Sequence, residues 1–274
     1  MKKIIVPTDF SEHANYALKV AAQIAKKQNA EIHLIHMLEL PNAGADALSN
    51  AHEIPELMLF KNAAVNRLDE SINQDFLKGL NVHKQIQFEI AFDGIIKTAE
   101  KNDADLIVMG SHGAKGFQEM FIGSNTEKVV RNSKIPVLVI KQEEDNFKAN
   151  DFVFASDFSE ETKESFKKVM RFAENFDAHI HLLNINTPSN FKSSGEAQET
   201  MNNYVNEMGV KNYTTHIYND TNVETGILNF AKNIKADLVG MSTHGRKGLA
   251  HFFNGSISED LVNHAQRPVI TFKM

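Results

Sequence analysis

Two features of this chain carry chemistry. Asp9 follows directly on an apolar run and a Pro-Thr pair, Ile4-Ile5-Val6-Pro7-Thr8-Asp9. Far downstream, Gly110-Ser111-His112-Gly113 is followed after nine residues by Gly123-Ser124-Asn125-Thr126. Glycines such as Gly113 and Gly116 can take a positive φ or let a ligand approach the backbone closely. Gly123 and Ser124 stand where a helix begins, and the first N–H groups of a helix favour an anion. The combination suits a di- or triphosphate. It is neither a Walker A loop, which needs Gly-x4-Gly-Lys-Ser/Thr, nor a Rossmann Gly-x-Gly-x2-Gly after the first strand. The plainer readings are turn glycines in the loop, Asp9 as a helix cap, and Ser124 as the N-cap of its own helix.

The elements that must position these residues follow from periodicity. Lys3–Val6 reads as a buried strand. Ser11 is a natural N-cap for a helix carrying Ala14, Ala17, Leu18, Ala21 and Ala25 on one face. A strand at 32–38 follows, then a long amphipathic helix over 55–77 closed by Gly79 as its C′ residue. Further strands are expected at 82–90, 106–109 and 137–140, with helices over 94–101 and after Gly123. Strand–helix alternation of this kind implies an α/β fold with an open, parallel, five-stranded sheet and helices on both faces. In such sheets ligands bind at the carboxyl ends of the strands, where both features fall.

The plan occurs twice. Pro7-Thr8-Asp9-Phe10-Ser11-Glu12 returns as Ala155-Ser156-Asp157-Phe158-Ser159-Glu160, and Glu31-Ile32-His33-Leu34 as His179-Ile180-His181-Leu182. His112-Gly113, Gly123-Ser124 and Pro136-Val137 return as His244-Gly245, Gly255-Ser256 and Pro268-Val269. The offset is 148 early and 132 late, so the second copy lacks 16 residues, placed between its second and third strands. Its strands are expected at 152–155, 180–185, 213–218, 238–241 and 269–272, with a short helix over 197–208. The domains are therefore 1–141 and 151–274, joined by a polar linker, 142–150.

Composition narrows the rest. The net charge of −6 argues against non-specific nucleic-acid binding. The absence of cysteine excludes disulfides and thiolate chemistry. There is no run of 18 apolar residues to span a membrane, and no secretory leader is expected, so the default location is cytoplasmic. His33 and His36 face opposite sides of their strand. His179 and His181 share a face, but no carboxylate or third histidine is placed beside them by sequence, so no metal site is expected. A bracing hydrogen bond is expected of His112. Ser124 lacks an evident triad partner, and no catalytic residue is assigned. Leu57–Phe60, with Val65 and Leu68, is expected in the core.

The spacing Gly110-x2-Gly113-x9-Gly123-Ser124 resembles the ATP-binding signature of the universal stress protein family. The opening Ile5–Ser11 and the closing Ile135–Ile140 resemble that family's first and last strands, and the resemblance covers both copies. It implies a tandem member with an adenine-nucleotide-hydrolase-like fold, binding ATP or AMP. Mg2+ would accompany the phosphates. Pro7 and Asp9 would border adenine and ribose, and Met37 would line the adenine pocket. Met109 and Gly110 would lie by the ribose, with Gly113, Gly123, Ser124 and Asn125 around the phosphates. The corresponding second site is Asp157, Ile185, Gly245, Gly255 and Ser256. It is weakened because Ala155 replaces Pro7 and Ser242 replaces Gly110. By the same resemblance, strands 137–140 and 269–272 would pair antiparallel in an intramolecular pseudo-dimer, and whole chains could dimerise further. A stress-response binding or signalling module is implied; an interaction scaffold without nucleotide, or a slow ATPase, are the alternatives.

Overall fold

The computed structural model describes residues 1–39, 53–113, 122–243 and 257–274, with side chains only from 57 and 260 onward in the helices that begin at 53 and 257. The first copy runs β1 (Lys3–Pro7), α1 (Glu12–Gln28), β2 (Glu31–Met37), α2 (Glu53–Ile72), β3 (Val82–Gln87), α3 (Ala91–Lys101), β4 (Leu106–Gly110), α4 (Ser124–Asn132) and β5 (Val137–Ile140). The second runs β6 (Asp151–Ala155), α5 (Lys163–Phe176), β7 (His179–Asn186), α6 (Ser194–Met208), β8 (Tyr213–Asn219), α7 (Val223–Asn233), β9 (Leu238–Thr243), α8 (Ile257–His264) and β10 (Val269–Lys273).

The ten strands form one sheet in the order β3-β2-β1-β4-β5-β10-β9-β6-β7-β8. Each half is parallel throughout. The halves meet at a single antiparallel pair, with Val269 opposite Val139, Ile270 opposite Leu138 and Thr271 opposite Val137. The expected five-stranded sheets are therefore two halves of one sheet. Each covers an edge that the other would leave bare, where unpaired backbone groups invite aggregation. Alternation along the strands divides the core by face. Ile4, Val6, Leu34 and Val108 pack with α1, α2, α5 and α6, while Ile5, Ile35, Ile107 and Val139 pack with α3, α4, α7 and α8.

The copies fill the same space differently. Ile4 and Val108 of the first become Phe152 and Gly240 in the second, and all but Gly240 are wholly buried hydrophobic side chains. A Cβ on Gly240 would sit 2.6 Å from the Phe152 ring, so the aromatic ring occupies the volume the missing side chain leaves.

Several boundaries differ from expectation. The second helix stops at Ile72, and a separate 3-10 turn covers Asp75–Leu77. Gly79 is left-handed (φ +81°) but follows that turn rather than capping α2. Met58, Leu59 and Phe60 are exposed, not core; among the described side chains of α2 only Ala64 and Leu68 are buried. The helix runs apolar for longer than its contact stripe, and sequence periodicity could not tell which residues face inward. The shortening of the second copy lies where expected, since Ile32 pairs with Val82 but its counterpart Ile180 pairs with Tyr213.

Candidate functional site

The turn after β1 is built from local hydrogen bonds. Asp9 Oδ1 accepts from the Ser11 amide (3.0 Å) and Thr8 Oγ1 from the Phe10 amide (3.0 Å). These hold Phe10 at φ +64°, a conformation that a bulky residue adopts only when its surroundings enforce it. Ser11 then caps α1, accepting from Ala14. The second copy repeats the turn: Asp157 Oδ1 accepts from Ser159, Ser156 Oγ from Phe158, and Phe158 has φ +57°. Asp9 therefore shapes a turn rather than capping the helix directly.

Its second oxygen, Oδ2, faces the glycine loop. A Cβ placed on Gly113 would lie 2.5 Å from Asp9 Oδ2. A Cβ placed on Gly123 would be 3.5 Å from the Gly113 nitrogen, an ordinary contact, and the Gly123 amide donates to the Ser111 carbonyl (2.7 Å). Asp9, Gly113 and Gly123 are thus neighbours although the sequence separates them widely. Gly113 does not have a positive φ; close approach is what demands glycine there. Gly123, not Ser124, is the N-cap of α4, and it supplies no side-chain cap. Ser124 and Asn125 form the exposed first turn of that helix, with the uncapped N-terminus beside Gly113.

Three buried or half-buried side chains floor the same region. Pro7, Met37 and Met109 share the sheet face covered by α3 and α4, at the carboxyl ends of β1, β2 and β4. Met37 lies over Gly94 of α3, where an added Cβ would come within 2.7 Å of its sulfur. Ile185 lies over Gly226 in the same way, 2.8 Å from such a Cβ. Gly110 closes the end of β4 under α1. Its carbonyl accepts from Thr126 Oγ1 (2.9 Å). A Cβ there would meet the His13 backbone at 2.6 Å. His112 braces the loop as expected, its Nδ1 lying 2.8 Å from Ser111 Oγ. His13 Nδ1 is buried with no hydrogen-bond partner among the described residues, and its ring stands 5.0 Å from that of His112.

Sequence reasoning missed one contributor. Asn263, on α8 of the second copy, accepts through Oδ1 from the amide of Ile122 (2.7 Å), the residue before Gly123. Lys141, whose amine is pushed below its usual range by burial, donates to the Asn263 carbonyl. The far half of the chain therefore braces the first copy's loop. Only the β5–β10 pairing brings these residues together, so no local pattern could have marked them.

The second copy departs where the first is tightest. Ser242 stands at the Gly110 position, and its Oγ lies 2.7 Å from Ser165 Oγ. The helix facing it starts later. Glu160–Thr162 is a 3-10 turn and α5 begins at Lys163, so the segment facing Ser242 takes a different backbone conformation from the start of α1. Phe158 is buried beneath Tyr204, whose hydroxyl lies 2.9 Å from Thr162 Oγ1 and whose pKa is pushed up to about 12 by burial. Its counterpart Phe10 instead carries the Arg67 guanidinium 4.4 Å above its ring. Beside Phe10 opens a cavity of about 350 Å³ bordered by Thr8, Ser11, Arg67 and Gln74. That cavity belongs to the α1–α2 face, away from Met37 and Met109, and is distinct from the glycine-loop site. Asp157 is exposed; Gly245, Gly255, Ser256 and His244, like Gly116, lie outside the described residues.

The histidines also correct the sequence reading. His36 faces Phe10 and donates from Nδ1 to the Thr8 carbonyl (2.7 Å). His181 does have a carboxylate and a third histidine near it, Asp151 at 3.1 Å and His216 at 3.2 Å. His33 meets Glu31 and His83. Strand pairing supplied the missing neighbours.

Among the described residues no helix is long and apolar enough to cross a membrane. The profile of the universal stress protein family matches residues 1–141 and again 150–273. One universal stress protein of Methanocaldococcus jannaschii is 33% identical over 142 residues, covering 52% of this chain and 82% of that protein. A second from the same organism is 32% identical over 160 residues, covering 52% and 95%. A crystal structure of a universal stress protein from Archaeoglobus fulgidus superposes with a TM-score of 0.75 over 99% of this chain and 98% of that one, at 23% identity.

Proposed function

The chain belongs to the universal stress protein family, with two of its domains in tandem, and from that premise we propose that the first copy binds an adenine nucleotide, ATP or AMP, as a stress-response binding module. The observation that carries the reading is the convergence of the Asp9 turn, the close-packed Gly113 and the uncapped start of α4. Main-chain N–H groups of Gly113, Ser124 and Asn125 would hold the phosphates, as helix N-termini and loop amides do without net positive charge. Pro7, Met37 and Met109 offer an apolar seat for the base, and Asp9 a carboxylate for the ribose hydroxyls. A Mg2+ ion would arrive on the phosphates. Occupancy would be read by partners through the loop and, via Asn263, through the other half of the chain.

Thermal unfolding with ATP, ADP and AMP tests this. Ligand at a hundred times its Kd stabilises the bound state by about 2.7 kcal/mol, a readily measured rise in Tm. No shift with any of the three would overturn the reading in favour of a scaffold that works without nucleotide. Phosphate release above background would add a slow ATPase to it. Calorimetry should give one tight site per chain, because the second copy has Ser242 and Ala155 at the equivalent mouth; two equal sites would contradict this assignment.

Asn263→Ala should weaken ATP binding roughly fivefold, the worth of one hydrogen bond of about 1 kcal/mol, since the Ile122 amide loses its acceptor. The substitution leaves the Lys141 bond to the Asn263 carbonyl in place. Calorimetric affinity equal to that of the parent would show that the brace does not reach the ligand.

A further inference from the structure

At the end of β2 remote from Met37, three side chains converge that the nucleotide reading does not use. Glu31 and His33 share a face of β2, two residues apart, and His83 stands opposite His33 in the β2–β3 register. His33 Nε2 is 3.1 Å from Glu31 Oε1, and His83 Nε2 is 3.5 Å from Glu31 Oε2. One donor atom from each of the three lies within 4.8 Å of the others, and the imidazole rings are 4.9 Å apart. The His33 side chain is only 14% exposed and that of Glu31 27%, whereas His83 is 50% exposed. The cluster thus has two settled donors and one open side.

We propose that Glu31, His33 and His83 bind a divalent metal ion of the zinc class, with water completing the coordination. Two imidazole nitrogens and one carboxylate select a borderline ion over Mg2+ or Ca2+, which prefer all-oxygen sets. Bonds of about 2.0–2.1 Å in a tetrahedral site put neighbouring ligand atoms about 3.3 Å apart. The two imidazole nitrogens lie 3.1 and 3.5 Å from the two different oxygens of the Glu31 carboxylate, with all three donors within 4.8 Å, so a rotation of the carboxylate and of the half-exposed His83 ring would bring them to that spacing. Three protein ligands leave a fourth position open to solvent, beside the exposed His83. Lys3 Nζ, 3.8 Å from Glu31 Oε1, is the lysine or arginine beside the carboxylate among the described residues that an ion would displace, and its side chain is 39% exposed with a flexible stem to swing away on. The physical consequence is a clamp. β3 is one of the two edge strands of the sheet, and the ion would tie it to β2.

The second copy supplies a control within the same molecule. His181 presents Nδ1 to His216 and Nε2 to Asp151, on opposite edges of one ring. A single ion cannot use His181 together with both neighbours, so that histidine-rich cluster does not converge. The proposed site is also independent of the nucleotide site, since the six steps of β2 from Glu31 to Met37 span about 20 Å at 3.3 Å per residue.

The test uses the full chain, stripped of metal with a chelator. Zn2+ is titrated in competition with a chromophoric chelator, and Co2+ is followed by its visible absorption, which is intense in tetrahedral sites. The expected result is one ion per chain, a rise in Tm on adding Zn2+, and at least a tenfold loss of affinity in His33→Gln and in His83→Gln. His181→Gln should bind as the parent does. His83 is half exposed on an edge strand, so His83→Gln should keep its circular dichroism and its ATP affinity. Absence of Zn2+ binding at micromolar concentration in the parent would overturn the proposal, as would undiminished binding in the folded His83→Gln chain.

Discussion

Gly113→Val should remove ATP binding, raising Kd by at least about 100-fold, a loss of about 2.7 kcal/mol. The Cβ alone would stand 2.5 Å from Asp9 Oδ2, well inside contact distance. Asp9 cannot simply turn aside. Its other oxygen holds the Ser11 amide at 3.0 Å, and that bond helps keep Phe10 at φ +64°. Either the carboxylate gives up its turn or the loop moves outward, and both displace groups assigned to ribose and phosphate. The φ of Gly113 is not in the left-handed region, so the cost arises from crowding rather than backbone strain. Gly123, by contrast, has ordinary clearance of 3.5 Å, which makes Gly113 the more discriminating position. Calorimetry with ATP measures the effect. Adding Asp9→Ala to Gly113→Val should not restore binding, because the collision disappears while the ribose partner is gone too. Parental affinity in the single variant would remove Gly113 from the site.

Gly110→Ser, which installs the second copy's residue in the first, should lower Tm by about 3–10 °C and weaken ATP binding with it. The new Cβ would meet the His13 carbonyl carbon at 2.6 Å and its oxygen at 2.7 Å. Both are main-chain atoms in the first turn of α1, which is pinned by its Ser11 cap, so no rotamer change relieves the contact. Overpacking of this kind costs about 1–3 kcal/mol, which for a chain of this size is several degrees. The reciprocal Ser242→Gly should cost only about 1 kcal/mol, the hydrogen bond to Ser165, and should create no ATP site. The asymmetry has a structural cause: α1 begins at Glu12, whereas the equivalent stretch of the second copy is the 3-10 turn Glu160–Thr162. Thermal unfolding followed by circular dichroism distinguishes the cases. A Gly110→Ser chain as stable as its parent would mean that the early start of α1 does not exclude a side chain at position 110.

The chain's own letters determined whatever depends on near neighbours. The Ser11 cap, the Asp9 turn and its copy at Asp157 are made by side chains reaching two or three residues along, so residue type and spacing specify them. Strand runs and helix stripes, read twice, led to the α/β class and the repeat, because burial on a sheet or helix imposes its period on the sequence. The glycine loop was legible as a candidate anion site from the spacing of Gly110, Gly113 and Gly123 before a helix start. The tertiary structure alone decided matters of long-range register. Pairing of β2 with β3 put His83 beside His33, and pairing of β7 with β8 put His216 beside His181, contrary to the expectation of isolated histidines. Joining β5 to β10 brought Asn263 to Ile122 and merged two sheets into one. The reason Gly113 must be small lies in an aspartate from the far end of its domain, and the reason Met58–Phe60 stay exposed lies in which stripe of α2 the sheet can reach. A sequence encodes such contacts only jointly, through the packing of every element between the two residues, and no local pattern carries them.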